Sequence, residues 1–552
     1  MCARFMKRRA AGIFQNSFDA STSASEPAQP PRMNIPEYKA IGLCRCFNAV
    51  FLIFAALFFF LVPAATVIRD LSDPNIRSAG IPRSAWKLHR VLSPQYEQWA
   101  RRRLESTRAA KLSTRNISGT EWPLFGSVFY LWATESLQAA WEKDPCAASV
   151  APKVYARGAI EAATRLVIDP GQANWVKIHW GENYLKRENV FYRMLVIAAL
   201  TSHARLTGDR QFLPLLKDQA DSLSAELDAS PHGLLDDYPS ECYPGDVLTA
   251  IAMIHKADPV LGTDHSAFVN RAIRGFQDQA LDSRGLVPYD ALASLGEPVE
   301  SSRGCGNSYV SLFSPEIWPD QARKWYDLYS QYFWQEAWTC AGFREFPNDM
   351  SGHDWYIDVD AGPVLKGFGC AACAFGVGAA RVNGHFEHAY PLTAEMLVTA
   401  WPLPNGTRLL PRLLSNAADA PFLGEAGILF NLTRLPAEGI AVKTGGSIPG
   451  FVLIFLALQL GLGSILSAAP ILSLRRWRKQ RNSLTVPLLG MQFGIWLGLW
   501  FGALNFLLCG NTVLAVLLLL CAQFFPRHRR KKPASEPPAT TEASVRPVAT
   551  GK

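Results

Sequence analysis

The chain has 552 residues, 49% of them hydrophobic and 18% charged, and its formal net charge is +8. This length exceeds that of one compact domain, and the apolar fraction excludes a mostly disordered chain. The segments 1–45, 475–483 and 526–552 carry net charges of +4, +5 and +5, so residues 46–474 carry −6 and the large middle region is not a nucleic-acid-binding surface.

The beginning of the chain predicts a tail followed by a membrane anchor. Residues 1–45 are polar and basic, which indicates a disordered cytoplasmic tail. Residues 46–68 are 23 uncharged positions, enough for one transmembrane helix across about 30 Å of hydrocarbon. A cleaved signal peptide is the alternative, although the apolar core of a signal is only ~7–15 residues long. Translation from Met33 would shorten the tail and leave the span unchanged.

Residues 69–446 predict an all-α domain. Apolar residues recur at helical spacing in segments 190–206, 246–255 and 322–338, whereas alternating, strand-like patterns are scarce. Short turns recur about every 60 residues, which corresponds to about six helical hairpins. These turns lie near residues 144, 208, 262, 318 and 384. Hairpins of this kind stack or close on themselves, so we predict an (α/α)6 barrel, with an open right-handed solenoid as the alternative.

Longer connections alternate with the short turns. They are segments 172–188, 229–246, 282–308, 342–363 and 399–426. If the short turns share one end of a barrel, these loops share the other end. Loops on a rigid scaffold commonly carry function, so the candidate site is predicted there.

The segment 236–246 contains four acids among tyrosine and proline residues. Asp237 and Glu241 are predicted catalytic residues that form one acid–base centre, because the interrupting residues do not fit a simple solvated surface. For Asp246, capping of the helix that follows is the alternative.

Asp358 and Asp360 are the predicted catalytic residues of a second centre. In an extended segment the two carboxyls would share a face, and their repulsion would raise the pKa of one of them. A carboxyl with a raised pKa suits a general acid near neutral pH. The alternative is a pair of capping acids ahead of a Gly-rich helix.

The side chains predicted to bind substrate are the aromatic and polar neighbours of these acids. They are Trp180, Glu188, Tyr192, Asp236, Tyr238, Cys242, Cys305, Asn307, Tyr309, Arg344 and Trp355. Their aromatic density suits either stacking on sugars or a pocket for an apolar substrate. Glu188 has an alternative role as a first-turn acid that complements the helix dipole. Cys305 has no adjacent base in the sequence that would make it a nucleophile.

No metal and no cofactor are predicted. The sequence lacks a P-loop, a Rossmann glycine pattern, a GxSxG elbow and an HExxH motif. Cys370 and Cys373 stand in a Gly/Ala-rich segment, which is typical of small packing residues on a helix. A redox or metal pair is the alternative, but no second CxxC accompanies it.

The end of the chain predicts three more membrane helices. Residues 447–474 are the second span, 475–483 a basic cytoplasmic loop, and 484–525 a transmembrane hairpin of 42 uncharged residues that turns at 509–511. Residues 526–552 are a basic, disordered cytoplasmic tail. Four spans place every basic segment in the cytoplasm, whereas three would place the last one outside. We therefore predict a bacterial inner-membrane protein with cytoplasmic termini and a periplasmic domain.

Four segments together resemble the linalool dehydratase/isomerase family. They are GENYLKRENVFYRMLVIAAL from residue 181, LTGDRQF from 206, LGTDHSAF from 261, and DVDAGPV with FGVGAARVNG between 358 and 384. The resemblance covers roughly residues 120–400. It implies a cofactor-free (α/α)6 barrel whose central cavity dehydrates and isomerises a terpene alcohol by acid–base chemistry.

Two departures from that family stand out. Glu188, Asn189 and Tyr192 match its helix start, but Leu195 occupies the position of its catalytic histidine. Where the family has two cysteines, this chain has the acid-rich segment 236–246 with Cys242 alone. The resemblance therefore indicates a divergent, membrane-anchored member.

Three hypotheses follow for the function. The first is a lyase or isomerase that acts on a small hydrophobic alcohol. The second is a carbohydrate-active barrel, since paired acids and aromatic residues also suit glycoside cleavage or glycan binding. The third is a non-catalytic envelope scaffold. Each is compatible with a homo-oligomer, and each includes membrane lipid as a partner.

Overall fold

The computed structural model describes residues 35–277, 280–403, 405–409 and 418–479, with short pieces between 496 and 522. The helices are α1 (Ile35–Ala56), α2 (Val62–Leu71), α3 (Arg83–Glu105), α4 (Ile117–Thr120), α5 (Trp122–Lys143), α6 (Pro152–Tyr155), α7 (Arg157–Ile168), α8 (Asn174–Trp180), α9 (Val190–Thr207), α10 (Leu213–Ala229), α11 (Pro244–Leu261), α12 (Ser266–Ala272), α13 (Gly304–Ile317), α14 (Pro319–Phe333), α15 (Cys370–Val382), α16 (Phe386–Thr399), α17 (Leu423–Thr433) and α18 (Gly450–Lys479). A π-helical turn, Leu57–Leu61, joins α1 to α2.

The strands form small antiparallel sheets. They are β1 (Asp290–Leu292), β2 (Glu297–Glu300), β3 (Trp334–Glu336), β4 (Ala341–Phe343), β5 (Trp355–Asp358), β6 (Gly362–Leu365), β7 (Phe368–Gly369), β8 (Trp401–Pro402) and β9 (Arg408–Leu409). β5, β6 and β7 make a three-stranded sheet, and the others pair as β1–β2, β3–β4 and β8–β9. Since these strands are only two to four residues long, the predominantly helical structure confirms the all-α prediction.

Six helices pack against one another in cyclic order. α5 contacts α9, α9 contacts α11, α11 contacts α13, α13 contacts α15, α15 contacts α17, and α17 returns to α5. A second set packs outside them: α7 on α5 and α9, α10 on α9 and α11, α12 on α11, α14 on α13, α16 on α15, and α3 on α17. We call the two sets the inner and outer helices.

The burial of side chains explains this division. The inner helix α9 is apolar around most of its circumference, and nearly every residue from Val190 to His203 is buried. The outer helix α14 is amphipathic, and it buries Ala322, Trp325, Tyr329 and Phe333 at helical spacing while its other face stays polar. A helix that is hydrophobic on all sides is stable only when other helices surround it.

The inner helices all begin at one end of the domain and finish at the other. α9 and α11 finish at Gly208 and Gly262, whose left-handed backbone conformation favours glycine. All five predicted short turns directly follow an inner helix, so that prediction is confirmed. We call this the turn end. The predicted long connections lie before the inner helices, at what we call the loop end.

Two helical segments are long and apolar enough to cross a membrane, Cys46–Leu71 and Gly450–Leu472. They agree within three residues with the predicted spans 46–68 and 447–474. The two pack against each other in opposite directions, since Gly463 faces Phe60 and Leu61 while Leu466 packs near Leu52 and Ala56. The predicted hairpin 484–525 lies largely outside the described residues. The same holds for most of the tail 1–45, for the end of the loop 475–483 and for the tail 526–552.

Candidate acid–base site

Acidic and tyrosine side chains from four parts of the chain meet at the loop end. They come from the start of α5, the loop before α11 with its first turn, the segment before α13, and the turn between β5 and β6. The group, which we call the acid cluster, comprises Glu121, Asp237, Tyr238, Tyr243, Asp246, Tyr289 and Asp360.

Asp246 lies in the first turn of α11. Burial, followed by the negative charge of Asp360, raises the pKa of Asp246 to about 7. The sequence left open whether this residue only caps its helix. An ordinary capping carboxylate is stabilised in its charged form, so a raised pKa indicates a different environment.

Glu121 directly precedes α5 and is not among the residues predicted from the sequence. Burial raises the pKa of Glu121 to about 8, with smaller contributions from the charges of Asp360 and Asp246, and the Tyr238 hydroxyl hydrogen-bonds to its carboxyl. Surrounding protein desolvates both Glu121 and Asp246, yet each keeps some accessible surface. This combination is typical of side chains that line an enclosed space.

Asp360 lies in the turn between β5 and β6, where its Oδ2 accepts a hydrogen bond from the Tyr289 hydroxyl. Burial and the charge of Asp360 hold the pKa of Tyr289 far above its ordinary value. The predicted extended segment through both acids is wrong, because β5 ends at Asp358 and Asp358 pairs with Gly362 across the hairpin. The side chain of Asp358 lies outside the described part of the chain.

Asp237 is buried and tied to backbone groups. Its Oδ2 accepts from the Tyr243 N–H at 2.7 Å, its carboxyl also bonds the Phe191 N–H, and its own N–H donates to the Glu241 carbonyl at 2.8 Å. Burial and the neighbouring Asp246 raise the pKa of Asp237 well above its usual range. These contacts connect the beginnings of α9 and α11, so Asp237 also holds this loop in place.

A buried group around Glu345 adjoins the acid cluster. The Glu345 carboxylate accepts from Arg303 Nε at 2.8 Å, from the Cys305 N–H at 3.2 Å and from Cys305 Sγ at 3.0 Å. Burial and this carboxylate raise the pKa of the Cys305 thiol well above its usual range, which disfavours a thiolate nucleophile. The Arg303 guanidinium lies 4.2 Å from the ring centroid of Tyr289.

Aromatic rings lie next to the acid cluster on its interior side. The ring centroid of Phe125 lies 5.7 Å from that of Phe191, 6.0 Å from that of Tyr309 and 6.4 Å from that of Phe375. Burial and the charge of Asp246 raise the pKa of Tyr309 well above its usual range, which places this ring within reach of the acids. An apolar region thus borders the carboxyl groups.

Several predicted binding residues make structural contacts close to the cluster. Trp180 Nε1 donates to the Asp237 carbonyl at 3.3 Å, and the Glu188 carboxylate accepts from the Asp236 N–H at 2.8 Å. Cys242 is buried, and its carbonyl accepts from the N–H of Ala291. Glu188 therefore fixes the acidic loop rather than only complementing a helix dipole.

Of the remaining predicted residues, Glu241 borders the cluster through Tyr243, and the others make contacts elsewhere or lie in the core. Tyr192 donates to the Val167 carbonyl at 2.9 Å, and Asn307 Nδ2 donates to the Val287 carbonyl at 2.9 Å. Arg344 pairs with Asp354 at 3.1 Å and bonds Gln335. Glu241 and Trp355 are exposed, and the Glu241 carboxylate lies 3.4 Å from the Tyr243 hydroxyl.

Two chemical details bear on cofactors and thiols. No group of three or more His, Cys, Asp or Glu side chains in the described part of the chain is arranged to hold a metal ion. Within the same residues the six cysteines of the domain are all free thiols, including Cys370 and Cys373 in the first turn of α15.

Comparison with known proteins adds no family assignment. No protein-family model and no curated protein matches this chain.

The raised carboxyl pKa values predict that alkaline pH destabilises the fold. Asp246 and Glu121 have ordinary pKa values of 3.8 and 4.5, and folding raises them to about 7 and about 8. The folded state then binds more protons than the unfolded state between these limits, so the free energy of unfolding falls as pH rises from about 4 to about 8. We expect a lower thermal unfolding midpoint at pH 8 than at pH 5.

The matched control replaces both acids with neutral isosteres. Asp246→Asn with Glu121→Gln should flatten this pH dependence when unfolding is followed by calorimetry of the full chain in lipid nanodiscs. An equal slope in the double variant and the parent chain would contradict the assignment of the raised pKa values to these two groups.

Proposed function

We propose that this protein is a membrane-anchored, cofactor-independent lyase or isomerase of the linalool dehydratase/isomerase type, which acts on a hydrophobic, terpenoid-like alcohol. The observation that carries the proposal is the environment of Asp246 and Glu121. Both carboxyls have pKa values near or above neutrality, beside the carboxylate of Asp360 and against an aromatic wall. Titratable groups whose pKa values are driven apart in one site are suited to act as acid and base.

In the proposed reaction, protonated Asp246 or Glu121 donates its proton to the hydroxyl of the alcohol. The C–O bond breaks and water leaves. Asp360, hydrogen-bonded to Tyr289, takes a proton from the neighbouring carbon, and the C–H electron pair becomes the new double bond. For isomerisation, water instead adds to another carbon of the allylic cation before that C–H proton is removed, and the carboxylate left on Asp246 or Glu121 takes back the proton that the added water releases.

The apolar surroundings support this substrate class. Four aromatic rings, those of Phe125, Phe191, Tyr309 and Phe375, offer contacts to hydrocarbon beside the acids, and among them only the Tyr309 hydroxyl could hydrogen-bond to a sugar. A positively charged intermediate would also be stabilised by aromatic faces and nearby carboxylates.

We propose an (α/α)6 barrel as the scaffold. The cyclic order of the inner helices, in which α17 returns to α5, supports closure of the ring over an open solenoid. In such a barrel, a site at the starts of the inner helices lies at the mouth of the central cavity. Four spans, cytoplasmic termini and a periplasmic domain complete the proposed topology, because the basic segments then share one side of the membrane.

The proposed chemistry does not depend on the family's histidine. Leu195, at that position, is buried in the apolar core. Carboxyl groups from the first turn of α11, from the start of α5 and from the β5–β6 turn would provide proton transfer instead. The chain would then be a divergent member with a different acid–base set.

A product survey tests the function directly. The full chain in lipid nanodiscs is incubated with a panel of tertiary allylic alcohols and, separately, with envelope glycans, and products are identified by mass spectrometry. Loss of one water or formation of an isomeric alcohol supports the proposal. Cleaved glycans would favour the carbohydrate-active alternative, and no product from either panel would contradict an enzyme acting on these classes.

A further inference from the structure

Exposed apolar side chains on the helical domain are concentrated at the loop end. Apart from the two membrane-spanning helices, the large exposed hydrophobic residues of the described chain include ten at this end and two at the turn end. The ten are Ile178, Leu292, Leu295, Val299, Trp338, Trp355, Tyr356, Ile357, Val359 and Leu365. The two at the turn end are Val154 and Val442. Exposed apolar surface that is concentrated at one end of a domain marks an interaction site.

The first membrane-spanning helix leaves the domain past the same end. Arg381, where α15 finishes at the turn end, donates to the carbonyls of Asn75 and Gly80. Asp70 instead pairs with Arg408, which donates to the carbonyls of Leu397 and Ala400 where α16 finishes at the loop end. The chain traced backwards from Asn75 through Asp70 into α1 therefore moves from the turn end to the loop end and beyond it.

The second span leaves in the same direction. Val452 and Leu456 pack with Leu397 and Val398 near the end of α16, and α18 then continues against α1. The N–H of Gly450 donates to the Trp338 carbonyl at 2.9 Å. Trp338, 77% exposed, thus contacts the first residue of this span.

The length of the second span indicates where along α18 the hydrocarbon core begins. Gly450–Leu472 has 23 residues, which cover about 34 Å at 1.5 Å per residue. The hydrocarbon core is about 30 Å thick, so it begins within about one helical turn of Gly450. That position is level with Trp338 and therefore with the loop end of the domain.

We propose that the loop end rests on the bilayer, with the tips of the β1–β2 and β3–β4 hairpins and the outer faces of β5 and β6 in the lipid interface. Trp338 in the β3–β4 turn and Trp355 and Tyr356 in β5 are exposed aromatic residues of the types that favour this interface, and exposed Lys366 can reach lipid phosphates from beside Leu365. Lipid is the occupant because the apolar end is continuous with the apolar spans.

This arrangement gives the acid cluster a source of substrate. Asp360 lies in the exposed β5–β6 turn, between the apolar residues Ile357 and Val359 and the half-buried side chain of Tyr289. An apolar alcohol dissolved in the bilayer would reach the acids past this turn without entering water. This second part rests on the proposed function, whereas the contact with lipid does not.

Site-specific photocrosslinking tests the lipid contact without measuring activity. Benzoylphenylalanine is placed at position 355, where the native Trp is 69% exposed, or at position 154, where the native Val is 62% exposed at the turn end. The full chain is reconstituted in phosphatidylcholine vesicles that contain alkyne-labelled phosphatidylcholine, and lipid adducts are measured after illumination. Residues inserted about 5–10 Å into the interface should give about ten-fold more adduct at 355 than at 154.

Equal labelling at the two positions would overturn the docking proposal, whether or not the protein dehydrates alcohols. A strong difference without any alcohol turnover would support docking and reject the proposed substrate. As a second measurement, Ile357→Glu with Leu365→Glu, at two exposed positions outside the candidate site, should raise the apparent KM for a vesicle-dissolved alcohol while kcat in detergent stays unchanged. An unchanged KM in vesicles would contradict delivery from lipid.

Discussion

Replacing Asp246 with Asn is expected to lower turnover of the alcohol by about a hundred-fold or more, the usual contribution of general acid–base catalysis. Asn resembles the neutral carboxyl in shape but cannot transfer its proton. The folded state already favours the neutral form, since burial and Asp360 raise the pKa of Asp246 to about 7. The variant should therefore fold as well as the parent chain, and at pH 8 it should unfold at a higher temperature.

The pH profile separates this role from a merely structural one. With Asp246 as proton donor, kcat/KM should fall above about pH 7, and Asp246→Asn should remove this alkaline limb from the residual activity. Glu182→Gln is the matched control, because Glu182 is an acid at the same end with an 85% exposed side chain. Full activity in Asp246→Asn would show that the proton comes from another group, of which Glu121 is the first to examine.

Truncating Glu345 to Ala is expected to destabilise the protein by about 3–5 kcal/mol, the cost of removing one partner of a buried ion pair. Glu345 is fully buried and holds Arg303 Nε at 2.8 Å. Its loss leaves the Arg303 guanidinium in a buried position without this carboxylate. The free energy of unfolding, measured by denaturant titration in nanodiscs, gives the effect.

Two comparisons complete this experiment. Glu161→Ala removes the exposed partner of Arg157 and should cost only about 0.3–0.5 kcal/mol. Glu345→Gln keeps hydrogen-bond acceptance and should fall between the two. A loss below about 1 kcal/mol in Glu345→Ala would show that the pair contributes no more than a surface salt bridge.

Glu345 also connects stability to the site. It orients Arg303, whose guanidinium lies over the ring of Tyr289, and Tyr289 in turn donates to Asp360. Glu345 is therefore a positioning residue. In Glu345→Gln we expect kcat to decrease more than KM changes, because the geometry of the proton acceptor depends on this chain of contacts.

Much of the secondary structure was predictable because it depends on local patterns. The periodicity of apolar residues in segments such as 190–206 specifies helices. Gly208 and Gly262 end two of these helices because glycine readily adopts the left-handed backbone conformation of a C-cap. The two helices that are long and apolar enough to cross a membrane were located within three residues, because long uncharged runs are visible directly in the sequence.

The site was only partly predictable. The loop 236–246 and the turn at Asp360 were found from their unusual density of acids, but Glu121 and Tyr289 carry no local signal of that kind. They stand before a helix and before a short strand, like many other acids and tyrosines. A weak signal did exist for Glu121, which directly precedes the Trp122-Pro123 helix start, where an acid often complements the dipole.

The sequence by itself determined the helices, their turns, the apolar spans and the acidic loops, because each of these depends on residues near one another in the chain. Only the tertiary structure decided which acids share an environment: Glu121, Asp246 and Asp360 are brought together by the packing of α5, α11 and the β5–β6 turn. Burial and repulsion raise the pKa values of Glu121 and Asp246, and both effects depend on distances in space. The net charge of −6 over residues 46–474 thus alters pKa values only where folding brings several acids together.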